Sequence, residues 1–143
     1  MSVKQISVFL ENKPGALLAM TRALAEQSVD MRAFSLAETS DFGIARIIVN
    51  DVEKTTAVLR DAGFVHNITP VIAVAVSNTP GGLNAALEAL SAEGVNVEYM
   101  YAFIGGRKDS AYMIFRVADD EKAAAALRAR GVRLAEQEEI ENL

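Results

Sequence analysis

The chain has 143 residues, 51% of them apolar, enough for one ordinary domain or two small ones with a core that needs no staples. Lys and Arg total 14 against 19 Asp and Glu, a formal net charge of −5, which makes a poor binder of nucleic acid because phosphates are held by clustered cations. The absence of Cys excludes disulfides, thiol catalysis and Cys-ligated metal, and no apolar run reaches the ~20 residues of a membrane helix.

The N-terminus runs straight into a strand pattern with no separate signal-like apolar region, so a cytoplasmic location is expected. From Lys4 to Leu10 the residues alternate, Ile6, Val8 and Leu10 on one face and Gln5, Ser7 and Phe9 on the other, which predicts a half-buried strand. A turn over Glu11–Gly15 follows, with Pro14 placed for the first helical position. Leu17, Met20, Thr21 and Leu24 have helical spacing up to about Gln27. A second strand is expected over Val29–Ala37, a turn at Thr39–Gly43, and a third strand over Ile44–Val49, rich in β-branched residues. Asp51 is a good helix cap, Gly63 a good helix end, and Phe64–Thr69 a short fourth strand.

The second half repeats this order. Ile72, Val74 and Val76 stand in register with Ile6, Val8 and Leu10 at an offset of 66 residues. Asn78-Thr79-Pro80-Gly81-Gly82-Leu83 repeats Asn12-Lys13-Pro14-Gly15-Ala16-Leu17, and Val95-Asn96-Val97 repeats Val29-Asp30-Met31. The offset becomes 68 at Asp51 and Asp119, because the hairpin around Gly105-Gly106-Arg107 is longer. A constant offset with one insertion in a turn marks an internal duplication. The fold class is therefore α+β, two tandem ferredoxin-like βαββαβ units with antiparallel sheets and both helices of each unit on one face. Thr69-Pro70 is the expected boundary, with no Gly/Ser linker between the halves.

The helix-free faces are too apolar for water. One carries Tyr99, Tyr101, Phe103, Tyr112 and Ile114, the other Phe9, Ile44 and Ile48 with Ser35 and Arg46 among them. A second sheet, from the sister half or a partner chain, is expected to cover part of this surface.

The repeated turn can be purely structural, since Asn, Thr, Pro and Gly all suit a helix start. It also offers more. A glycine lets a ligand approach the backbone, the free N–H groups of a first helical turn attract a carboxylate, and the amide of Asn12 or Asn78 both donates and accepts. Asp41-Phe42-Gly43 matches a kinase metal-binding triplet only superficially, with no Gly-rich loop or H-R-D motif beside it. The single His66 has no partner acid or nucleophile near it and no counterpart in the second half, so a structural or solvent-facing role is expected. The run Glu136–Glu141 reads as a solvated acidic tail.

The stretches Phe9–Leu17 with Val29–Ala33, and Ser77–Leu83 with Val95–Tyr99, resemble ACT domains, in two tandem copies that cover essentially the whole chain. The Thr39–Ile44 hairpin and the Tyr99–Phe103 strand resemble stand-alone tandem ACT proteins as well. The resemblance implies one copy over residues 1–69 and another over 70–143. It implies a regulatory module that binds an amino acid or similar small ligand where ACT domains meet, at the turn–helix junction and a neighbouring strand. By that resemblance the ligand-binding residues are Asn12, Pro14, Gly15, Ala16 and Leu17 in the first copy, and Asn78, Gly81, Gly82 and Leu83 in the second. The additional Gly82 is expected to open more room at the second turn and make the two sites unequal.

The leading expectation is a non-catalytic sensor under allosteric control by an amino acid, without cofactor or metal, acting as a homodimer through sheet edges or faces. The alternative is a regulatory subunit of an amino-acid-metabolism enzyme, such as the small subunit of acetolactate synthase, which also begins with an ACT-like unit. RNA binding shares the βαββαβ order and strand aromatics such as Tyr101, Phe103 and Phe115, but the acidic balance opposes it. No nucleophile–base pair at recognisable spacing supports catalysis.

Overall fold

A computed structural model describes residues 2–105 and 109–143; Gly106 and Arg107 of the expected longer hairpin lie outside them. The elements run β1(Val3–Glu11), α1(Ala16–Glu26), β2(Met31–Glu38), β3(Phe42–Val49), α2(Val52–Asp61), β4(His66–Ser77), α3(Gly82–Ala92), β5(Tyr99–Ala102), β6(Ser110–Arg116), α4(Asp120–Ala129), β7(Arg133–Ala135) and α5(Gln137–Glu141). The strands form one antiparallel array, β2-β3-β1-β4-β6-β5, with β7 also paired to β4.

The alternation read in the sequence places the helices. Ile6, Val8 and Leu10 bury against Met20 and Leu24 of α1 and Leu59 of α2, closing the first core. Ile72, Val74 and Val76 do the same with Ala86, Leu90 and Leu127 in the second. The helices α2 and α4 start on Asp51 and Asp119, whose carboxylates accept from the N–H groups of Lys54 and Lys122 at 3.0 and 3.1 Å.

Two strands expected over residues 64–69 and 71–77 are one, the 12-residue β4. Its first part, up to Val71, pairs with β1, and its second, from Ile72, pairs with β6. Pro70 lacks an N–H and would break a ladder in mid-strand. Here it sits where β4 passes from one sheet to the other, so the missing donor falls at the handover. Its carbonyl accepts from the Arg116 guanidinium at 2.8 Å.

The helix-free faces meet each other, so the cover comes from the sister half. Val3, Ala33 and Ile48 of the first half pack with Ala73, Tyr101, Tyr112 and Ile114 of the second. An isolated bridge joins Ala33 to Phe103, and the Ile104 N–H donates to the Arg32 carbonyl at 2.8 Å. The acidic tail is not simply solvated. It forms α5, buries Ile140 completely in the cluster between the sheets, and pairs Glu139 with Arg133 at 2.7 Å. Arg32 ties it down by donating to the carbonyls of Ile140 and Glu141. An apolar Ile within the charged run decides this, since the acidic residues on either side stay at the surface while Ile140 reaches the core.

Candidate functional site

Helix α1 begins at Ala16, two residues later than a helix with Pro14 in its first position. Gly15 is its N-cap, with φ 87°, a left-handed conformation that a glycine adopts without strain, and Pro14 lies in the turn before it. No side chain caps this end. The N–H groups of Leu17 and Leu18 fall in the first turn, where a helix offers them no internal acceptor, while that of Ala16 donates to the Lys13 carbonyl at 3.3 Å.

The turn leans on the β2–β3 hairpin. The Asn12 N–H donates to the Asp41 carbonyl at 3.3 Å, and its side-chain amide donates to the Thr39 carbonyl at 3.1 Å. Asn12 thus couples the turn to the hairpin. The backbone contact recurs in the second half, where the Asn78 N–H donates to the Asp109 carbonyl at 3.3 Å.

Two clefts flank the first turn. The smaller, about 70 Å³, is lined by Asn12, Lys13, Leu17 and, from the neighbouring strands, Leu36, Glu38 and Gly43. The larger, about 530 Å³, runs along the other side of the turn between Lys13, Ala16, Phe9, Phe42 and Phe64. The structure therefore brings Asn12 and Leu17 to one cleft and Ala16 to the other. Pro14 and Gly15 shape the turn between them and line neither.

The second turn is built differently from expectation. Gly81 takes the same left-handed N-cap role, with φ 87°. Gly82, however, does not open space. The Ser77 carbonyl occupies the place where a Cβ would stand, so the glycine lets the strand end close onto the helix. Leu83 follows as a half-buried residue packed on the second core.

A family model for the ACT domain pair matches residues 1–143. The chain belongs to the ACT domain family. It is similar to protein BT0572 from Bacteroides thetaiotaomicron, at 38% identity and a TM-score of 0.91, over 100% of this chain and 98% of that one. The ACT pair is also similar in fold to the ligand-free regulatory subunit of aspartate kinase from Thermus thermophilus, at 19% identity and a TM-score of 0.65, over 90% of this chain and 89% of that one. The regulatory subunit of aspartate kinase from Thermus flavus gives 19% identity and a TM-score of 0.61, over 90% of each chain. No curated protein matches the chain in sequence.

Beside the first ACT turn stand residues that the motif reading passed over. Glu11 and Lys13 form an exposed ion pair of 3.0 Å at the mouth of the larger cleft. Phe9, Phe42 and Phe64 wall it. The repeat itself carries a signal for them, because the matched positions in the second ACT unit are Ala75, Ser110 and Val132. His66 lines neither cleft, although its Nδ1 lies 2.9 Å from the carbonyl of Phe64, which walls the larger one. Among the described residues no group of three His, Asp or Glu converges as a metal site, and no helix is long and apolar enough to cross a membrane.

Proposed function

We propose that this ACT domain pair is a non-catalytic regulatory protein of the cytoplasm that binds a free amino acid at its turn–helix junctions. The supporting observation is the first junction. An uncapped helix start, a left-handed glycine without a side chain and the amide of Asn12 stand beside two open clefts. Helix N–H groups take a carboxylate, and the amide and nearby carboxylates take an ammonium. Asn12, Pro14, Gly15, Ala16 and Leu17 form this junction, and Asn78, Gly81, Gly82 and Leu83 the second.

Regulation follows from how Asn12 is held. Its hydrogen bond to Thr39 connects the junction to the hairpin of β2 and β3. Beyond the Ala33–Phe103 bridge, the outer edge of β2 carries Leu36, 48% exposed, and that stretch is the natural surface for a second copy in a homodimer. A ligand that binds one packing more tightly than another then shifts the population of assemblies. A second reading, a subunit that docks on an amino-acid-metabolism enzyme, is favoured by the likeness of fold to aspartate kinase regulatory subunits over 90% of the chain.

Calorimetry across the common amino acids is the test. One or a few are expected to bind with Kd between about 1 μM and 1 mM. A flat response to all of them would remove the sensor reading, and a stable large partner recovered from the native host would favour the enzyme subunit.

A further inference from the structure

We propose that the ligand is an amino acid with a large apolar side chain, aromatic or branched aliphatic, held in the larger cleft of the first ACT unit and not in the second. This rests on the reading above that the chain binds a free amino acid, adds which class, and narrows the two junctions of that reading to the first.

The cleft has the make-up of a small-molecule site, mostly apolar walls with a few polar groups that fix orientation. Phe9, Phe42, Phe64 and Leu10 supply the walls, and the volume of about 530 Å³ accommodates a large side chain. Phe42 is 42% exposed and Val65 69% exposed, so large apolar groups face water until something covers them. At the mouth stand one ammonium and one carboxylate, Lys13 and Glu11. That pair is the complement of a zwitterion. The two are 3.0 Å apart and exchange each other for the ligand: Lys13 joins the helix N–H groups in taking the α-carboxylate, Glu11 takes the α-ammonium, and the side chain goes inward. A charged or strongly polar side chain would lose water among phenyl rings without gaining a partner.

The duplication shows what the second unit lacks. Its matched wall positions are Ala75, Ser110 and Val132, and Glu11 and Lys13 are replaced by Ser77 and Thr79. Those two hydroxyls, 2.7 Å apart, are neutral and offer a zwitterion no opposite charge. Val65 is replaced by Arg133, which is engaged with Glu139. The Ser77 carbonyl closes the space at Gly82. Neither the aromatic walls nor the charged mouth recurs.

Isothermal titration with L-Phe, L-Leu, L-Ser, L-Asp and L-Lys tests this on the full chain, with two matched variants. Ala19 lines the cleft and Ala85 is its exposed counterpart in the second unit, so Ala19→Trp fills the site and Ala85→Trp is the control. We expect one site per chain, with L-Phe or L-Leu binding about tenfold or more tighter than the polar amino acids. Ala19→Trp should abolish that binding, and Ala85→Trp should leave it unchanged. Lys13→Gln should weaken it about fivefold, as an exposed charge contact does. Should Ala19→Trp disturb the fold by circular dichroism, Phe42→Ser takes its place, with an expected loss of about tenfold. Preference for a polar amino acid, two equivalent sites per chain, or loss through Ala85→Trp rather than Ala19→Trp would overturn the class or the location while amino-acid binding stood. No binding by any amino acid would overturn both.

Discussion

Gln5 is completely buried between the two sheets, where an unpaired amide would be costly. Its side-chain carbonyl accepts from the Tyr101 hydroxyl at 2.7 Å, and its Nε2 donates to the Tyr99 hydroxyl at 2.9 Å and to Ser7 Oγ at 3.0 Å. The Arg46 guanidinium stacks over the Tyr99 ring at 3.8 Å from its centroid, so one residue cluster stitches the first half to the second. Tyr101→Phe strands the Gln5 carbonyl and should cost about 1–3 kcal/mol in urea unfolding. Burial, followed by the neighbouring Tyr99, pushes the Tyr101 hydroxyl well above the ordinary tyrosine range, against a smaller lowering by Arg46. The folded chain therefore keeps a proton that the unfolded chain loses above about pH 10. Stability should be unaffected by this group below that pH and fall above it. The advantage of the native protein over Tyr101→Phe should accordingly shrink as the pH rises above about 10 in the same unfolding experiment.

At the level of elements, the two turn–helix junctions share a sequence pattern and a backbone but not a packing. Gly15 and Gly81 have the same left-handed φ of 87°, so both turns need glycine there for the same reason. One residue later the copies part. Ala16 carries a Cβ beside the large cleft, whereas Gly82 yields that space to the Ser77 carbonyl. Gly82→Ala should therefore destabilise by about 1–3 kcal/mol through overpacking. Ala16→Gly should cost at most about 1 kcal/mol of helix propensity. Thermal unfolding of the pair measures the asymmetry. Asn12→Ala removes the amide bond to Thr39 and should cost about 1 kcal/mol while loosening the hairpin. Its effect on ligand binding should exceed that of Asn78→Ala if the first junction is the occupied one.

Across the whole molecule, the halves share a strand and a third core. The continuous β4 contributes to both sheets, and the cluster of Val3, Ile48, Tyr101, Tyr112 and Ile114 belongs to neither half alone. Unfolding one half would strip that surface from the other, so a single cooperative transition is expected rather than two. Far-UV circular dichroism and tyrosine fluorescence should give coincident urea curves; separated midpoints would show independent halves. The tail belongs to this shared core, since Ile140 is fully buried and Arg32 of β2 holds the last carbonyls of α5. Ile140→Ala should cost about 2–5 kcal/mol, the range for a buried large-to-small change, measured by the same urea curves.

The sequence by itself determined the two βαββαβ units, their helix-facing core residues and the Asp-capped starts of α2 and α4. Each of these is written in local periodicity or in a residue's own capping chemistry, and neither depends on distant neighbours. The same alternation marked Tyr101, Tyr112, Ile114 and Ile48 as a surface that needed cover. Only the tertiary structure decided that the sister half supplies it, because pairing of faces is a contact between residues far apart in the chain. The fusion of two short strands into β4 was hidden for a like reason: Pro70 reads as a break unless the partner strand changes at that residue. Phe9, Phe42 and Phe64 are far apart in sequence, and it is the end of the first sheet that gathers them with Lys13 and Glu11 into one cleft. The repeated glycine turn was legible from the start; which side of it is open, and in which copy, is settled by the atoms that pack against it.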